Sequence, residues 1–178
     1  MITGRIGAVF YLSHPEVVID AAVAVPEWRL SPRGRSRVLA IRSAAWLAEC
    51  RRIVTSGETK ALETAALIAG GSGAVIEVRE AMHENDRSAT GFLPPAEFEQ
   101  VADAFFAEPE RSVRGWERAI DAQARILAEF EAATARHPAG ESLLLVGHGG
   151  VGTLLYCALA GVPIDRRFDQ PNAGSVFA

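Results

Sequence analysis

The chain has 178 residues, 49% of them hydrophobic, and 18 basic against 22 acidic residues give a formal charge of −4. A chain of this length can build one substantial core without disulfides or metals, and the two signs of charge are interspersed, so there is no basic field for a nucleic-acid backbone. No apolar run reaches the 18 residues of a membrane span, and MITGRIGAVFYLSHPEVV reads as having neither the apolar length nor the small-residue cleavage site expected of a leader. We therefore expect one domain over residues 1–178, cytoplasmic, with neither nucleic acid nor membrane as partner.

Residues 6 to 12 form the first apolar run, which stops at Ser13-His14-Pro15. It reads as a buried strand ending on a histidine. Ser31 followed by Pro32 is an N-cap and a first-turn proline, opening a helix expected to run to about Glu49. Ile53-Val54-Thr55 is a short strand, residues 58–69 a helix, and Gly70-Gly71-Ser72-Gly73 its stop before a third strand at 75–78.

Two more helical patterns follow, at 95–107 and 113–137. In the second, Trp116, Ile120, Ala124, Leu127 and Glu131 mark the expected amphipathic face. Leu143-Leu144-Leu145-Val146 has no polar alternation, as a central parallel strand covered on both faces requires. A helix at 151–159 comes next, and Val176-Phe177 could complete the sheet or pair with another chain. Cys50 and Cys157 sit far apart in apolar helical patterns and read as reduced, buried thiols.

Strands alternating with helices predict an α/β domain, a three-layer sandwich around a mainly parallel sheet. In such sheets ligands gather beyond the carboxyl ends of the strands. His14, Thr55-Ser56-Gly57, His83-Glu84 and Gly147-His148-Gly149 each follow a strand, so one rim collects histidines, a lysine and a carboxylate. Two imidazoles beside helix N-termini suit a phosphate group. A neutral imidazole can attack phosphorus, its partner and a cation can neutralise the equatorial oxygens, and a carboxylic acid must protonate the departing oxygen.

Two other readings are weaker. Gly147-His148-Gly149-Gly150-Val151-Gly152 has the G-x-G-x-x-G spacing of a dinucleotide site, but only 26 residues follow it and Asp169 lies in a polar stretch, not at a strand end. A metal held by His14, His83, Glu84 and His148 lacks any short-range ligand spacing.

The residues that carry the phosphate reading resemble the histidine phosphatase superfamily, the phosphoglycerate mutase-like proteins. Leu12-Ser13-His14-Pro15-Glu16 stands where that family has a strand ending in Arg-His-Gly. Ser56-Gly57-Glu58-Thr59-Lys60-Ala61-Leu62-Glu63-Thr64-Ala65 is similar to its Ser-x-x-x-Arg-x-x-x-Thr-Ala. Leu145-Val146-Gly147-His148-Gly149-Gly150 resembles its strand and Ser-His-Gly-Gly, and Leu30-Ser31-Pro32-Arg33-Gly34 its Leu-Thr-x-x-Gly helix opening.

The resemblance implies a phosphoglycerate mutase-like fold and hydrolysis of a phosphorylated small molecule or phosphoprotein without a cofactor. His14 would be the nucleophile, His148 the second histidine and Glu84 the general acid, with Glu80 and Asp86 in the same loop as rivals. Phosphate contacts would come from Ser13, Lys60, Arg87 and Gly149. Ser13 replaces an arginine whose charge-assisted bond is worth roughly 1.5–3 kcal/mol. Lys60 keeps a charge but not the guanidinium fork, and Pro15 deletes a backbone donor. Arg87 is the expected compensation, with Arg33 and Arg37 more remote. Those losses leave a second expectation open: a noncatalytic relative that binds a phospho-ligand or regulates through a degenerate pocket.

Overall fold

A computed structural model describes residues 7–169 and 174–178. Strand β1 (Val9–Ser13) leads through α1 (Pro32–Ile41) to β2 (Cys50–Thr55), α2 (Thr59–Ala69) and β3 (Val75–Val78). Helices α3 (Pro95–Ala107) and α4 (Ala119–Ala135) precede β4 (Ser142–Gly147), α5 (Gly149–Ala160) and β5 (Val176–Phe177). Among the described residues the sheet has the order β3-β2-β4-β1-β5. The first four are parallel; β5 is antiparallel to β1, so the C-terminal segment completes the sheet.

The α/β expectation holds, and the three layers follow from side-chain alternation. Leu143 and Leu145 of β4 face one core with Tyr11, Phe105, Ile126 and Leu154 from β1, α3, α4 and α5. Leu144 and Val146 face the other, with Val38, Ala61, Ala65 and Ile68 from α1 and α2. All of β4 is buried, and each of its leucines contributes roughly 1.5–3 kcal/mol by leaving water. Both cysteines are free and buried.

Several boundaries differ from expectation for physical reasons. The first strand starts at Val9 and includes Ser13; the expected start at residue 6 lies outside the described residues. Helix α1 ends at Ile41, because the chain turns so that Trp46 packs on Phe10 (ring centroids 4.7 Å apart) and Leu47 and Cys50 enter the second core. The strand expected at Ile53 begins three residues earlier, at Cys50.

The helix expected at 113–137 is interrupted. Val113–Gly115 is a separate turn with Arg114 at φ 52° and Gly115 at φ 83°, left-handed conformations that stop a right-handed helix. Helix α4 therefore starts at Ala119 and buries Ala119, Ala122, Ile126 and Ala133, whereas Ile120 is 41% exposed. Trp116 is buried, but ahead of the helix. Phe105 and Phe106 of α3 belong to the first core.

Candidate active site

The strand order places β4 between β1 and β2, so the residue after β4 is flanked by those that follow its neighbours. The His14 N–H donates to Gly147 O (2.9 Å) and the Ser56 N–H to Val146 O (3.1 Å). These bonds extend the parallel ladders one residue past the strands, setting His14, Ser56 and His148 side by side. The His14 and His148 rings meet with centroids 5.2 Å apart and planes at 72°.

Each imidazole has one nitrogen fixed. His14 Nδ1 lies 2.8 Å from Pro15 O; a carbonyl only accepts, so the proton is on Nδ1 and Nε2 carries the lone pair. Proline at position 15 removes an N–H but keeps this carbonyl. His148 Nε2 lies 2.8 Å from Ser56 Oγ. That hydroxyl also accepts the Glu58 N–H (3.2 Å); in the tautomer where it donates its own proton to Nε2, the His148 proton is on Nδ1. Nδ1 is buried without a partner among the described residues, a state that costs about 1–3 kcal/mol.

Burial keeps both rings neutral. It lowers His14 to about 3, reinforced by the neighbouring His148 and by Lys60. It lowers His148 to about 3 as well, against the pull of Glu58 and with help from Lys60 and Arg87. A neutral imidazole with an unprotonated Nε2 is the form that can act as a nucleophile.

Tyr11 supports His148 from below. Its hydroxyl accepts the His148 N–H and donates to His148 O, both at 3.0 Å, and burial pushes the phenol well above its ordinary pKa. Two glycines of the spacing that resembles a dinucleotide motif, Gly147 and Gly152, are there because the chain packs on Tyr11. A Cβ on Gly147 would stand 2.2 Å from Tyr11 Oη, one on Gly152 2.6 Å from Tyr11 Cε1, and one on Gly150 2.8 Å from Glu84 Oε1.

Glu84 is the carboxylate of its loop that reaches the His148 strand end. Oε2 accepts the Gly150 N–H (3.1 Å) and Oε1 the Val151 N–H (2.9 Å), at the first turn of α5. Arg125 on α4 holds the loop from behind, donating to Ala81 O (2.6 Å), His83 O (2.9 Å) and Glu84 O (3.4 Å) and pairing with Glu117 (2.7 Å). Glu117 in turn accepts the Asp86 N–H at 3.0 Å.

The remaining predicted residues are placed differently from one another. Lys60 is 2% exposed; its Nζ is ion-paired with Glu58 Oε2 and donates to Val25 O at 2.9 Å. Glu58 Oε1 accepts the Glu84 N–H (2.8 Å) and lies 3.6 Å from His148 Nε2. Burial works against ionisation of Glu58, but His148, Lys60 and these hydrogen bonds hold it at about 2. Ser13 Oγ donates to Ser175 O (3.3 Å) and accepts the Ser175 N–H (3.2 Å). The Arg87 guanidinium stands 5.0 Å over the Phe98 ring, within electrostatic reach of His148. Gly149 opens α5, with open space where a side chain would project.

A cavity of about 840 Å³ adjoins this rim. Residues 83–88 and Phe92 form one wall and residues 21–27, with Gly57 to Thr59, the other. The 21–27 wall has no counterpart in the sequence reading. Trp28 holds it through Nε1 bonds to Asp20 O (2.9 Å) and Val23 O (3.1 Å), and its ring meets Phe92 at 6.0 Å.

A histidine pair at the carboxyl edge of a 3-2-4-1 parallel sheet, with the Glu84 carboxylate hydrogen-bonded to the first turn of the following helix, is an arrangement suited to a phosphoryl group. The chain belongs to the histidine phosphatase superfamily (branch 1), whose model matches residues 22–176. The match begins after His14, so that residue's place in the site rests on the geometry above. No curated protein matches the sequence. Among solved structures, Bacillus stearothermophilus YhfR is 27% identical, with TM-score 0.77 over 95% of this chain and 89% of its own. The mycobacterial glucosyl-3-phosphoglycerate phosphatase is 21% identical, with TM-score 0.79 over 94% and 87%. An Entamoeba histolytica phosphoserine phosphatase is 16% identical, with TM-score 0.73 over 96% and 89%.

Proposed function

We propose that the protein is a phosphomonoesterase that works through a phosphohistidine at His14. The observation that carries this reading is the pair of rings 5.2 Å apart, one held through Nδ1 so that Nε2 carries the lone pair and the other with a buried Nδ1 lacking a partner among the described residues, which, protonated, an anionic oxygen would satisfy. The mycobacterial relative has been solved with vanadate and with inorganic phosphate, which favours a phosphate as the group held here.

In the first step His14 Nε2 attacks phosphorus and the bond from phosphorus to the alcohol oxygen breaks. That oxygen leaves with a proton from Glu84. Water then attacks phosphorus and gives a proton to the Glu84 carboxylate; the N–P bond breaks, returning neutral His14 and inorganic phosphate. His148 Nδ1–H, the Gly149 N–H at the start of α5 and Arg87 stabilise the equatorial oxygens, while the Gly150 and Val151 N–H groups hold Glu84. No cofactor takes part in these steps, and the two buried thiols suit a reducing cytoplasm.

A second reading, a phospho-ligand-binding module without turnover, draws on Lys60 and Ser13. Both stand at the family's arginine positions, and both are engaged within the protein. Hydrolysis of an aryl phosphate between pH 4 and 8 by wild type and His14→Ala decides between the two. Turnover abolished by the substitution is expected; vanadate binding with no turnover in the wild type would establish the binding module.

A further inference from the structure

The cavity beside the histidine pair has an unbalanced charge. Arg87, its guanidinium, stands at the His148 end, where it serves the phosphate. Beyond that end the titratable lining is His83 and three carboxylates: Glu27 on one wall, Glu80 and Asp86 on the other, with no ion-pair partner for any of the three among the described residues. Glu80 packs on the backbone next to Glu58, its Oε2 2.2 Å from where a Gly57 Cβ would stand. The Ser88 N–H (2.8 Å), and that residue's side chain after it, hold the Asp86 carboxyl below its usual range. Between these carboxylates the wall is apolar, built from Ala22, Val25 and Phe92.

A dianionic phosphate must therefore be held at one end while its ester substituent lies among three carboxylates and small apolar side chains. A carboxylate on that substituent would meet like charge; an ammonium would meet opposite charge; a hydrocarbon would meet the alanine, valine and phenylalanine surfaces. We propose that the cavity seats the alcohol part of the substrate, and that Glu27, Glu80 and Asp86 select cationic or uncharged alcohols against carboxylate-bearing ones. This rests on the phosphatase reading and assigns its leaving group.

The test uses three aryl phosphates of nearly equal leaving-group acidity, 4-(aminomethyl)phenyl, 4-methylphenyl and 4-(carboxymethyl)phenyl phosphate, and the matching benzylphosphonates, which bind but are not hydrolysed. For the wild-type protein kcat/KM is expected to fall in that order by about tenfold per unit of charge, the scale of a Coulomb interaction near a protein surface. Phosphonate affinities from calorimetry should fall in the same order, and the spread should shrink as salt rises through the concentration where screening reaches about 10 Å. In Glu27→Gln/Glu80→Gln the ratio between the amino and carboxymethyl substrates should contract by about fivefold or more.

Hydrolysis with a flat or reversed order overturns the inference and leaves the phosphatase reading standing. No hydrolysis, with the phosphonate order intact, does the opposite. No hydrolysis with flat phosphonate binding removes both, and an unchanged ratio in the double variant removes the assignment to these residues.

Discussion

The His14 ring stands edge-on to the His148 ring, the two planes 72° apart, and neither is free to turn because Pro15 O holds one and Ser56 Oγ the other. The proposed phosphoryl chemistry depends on this pair, and so does the pH at which it would run. Burial lowers both rings to about 3 from the ordinary 6.5, so the neutral form persists above that value and is lost only as pH falls through it. The acid limb of kcat/KM, which reports the free protein, should then inflect near 3 once the substrate phosphate's own ionisation near about 6 is divided out. An inflection at 6.5 would mean that the histidines are solvated and the pair is not assembled as described.

Beneath His148, the buried pair of Glu58 and Lys60 makes a stability prediction. Replacing Glu58 by Gln leaves the Lys60 ammonium, 2% exposed, with Val25 O but no carboxylate. Removing one partner of a buried pair costs about 3–5 kcal/mol. Glu58 is held at about 2 from an ordinary 4.5, a depressed carboxylate whose contribution is complete above 4.5 and lost as pH falls toward 2. Urea unfolding should find wild type and Glu58→Gln furthest apart at pH 7 and converging between 4.5 and 2. Equal stability at pH 7 would show the pair contributes nothing.

Arg87 and Arg37 give a contrast in anion binding. Arg87 lines the cavity and acts on His148; Arg37 lies on α1, on the other face of the sheet. A charge-assisted bond to an oxyanion is worth roughly 1.5–3 kcal/mol, so Arg87→Ala should weaken vanadate binding by about tenfold or more while Arg37→Ala changes it little. Equal effects in a fluorescence or calorimetric titration would take Arg87 out of the site.

What the sequence made legible was the part set by periodicity and local chemistry. The unbroken Leu143–Val146 run marked the central strand, Ser31-Pro32 the helix start, and strand ends followed by histidines the rim. Ser31 Oγ indeed accepts the Gly34 N–H at 3.0 Å. What escaped notice depends on distant partners. Arg125 reads as one more charge on an amphipathic helix, and only the fold brings it to three carbonyls at 81–84. Tyr11 reads as strand core, although its hydroxyl carries the His148 backbone. The 21–27 wall has neither helical nor strand period, since Trp28 and Lys60 hold it from outside the segment. Lys60 reads as a phosphate contact and not as half of an ion pair because Glu58, two residues earlier, is not normally a facing position on a helix; Glu58 is the N-cap, outside the regular turns.

The Arg125 network leads to a prediction about placement of the acid. Its side chain is 17% exposed and the guanidinium spans the backbone of the loop that carries Glu84, while Glu117 fixes it from the far side and also accepts the Asp86 N–H. A lysine there keeps the charge but loses the fork and cannot reach three carbonyls and a carboxylate together. Glu84 would then be displaced from the first turn of α5, and a displacement of about 1 Å at a reacting group can cost on the order of a hundredfold. Arg125→Lys should lower kcat by roughly ten- to a hundredfold with vanadate affinity nearly unchanged, because His14 and His148 are held by other elements and the Arg87 guanidinium by the Phe98 ring on α3. Glu117→Gln, which keeps one acceptor for the guanidinium, should fall between that variant and wild type. If vanadate affinity and kcat dropped together, or if circular dichroism showed Arg125→Lys unfolded at the assay temperature, Arg125 would be a general stabilising residue and not one that positions the acid.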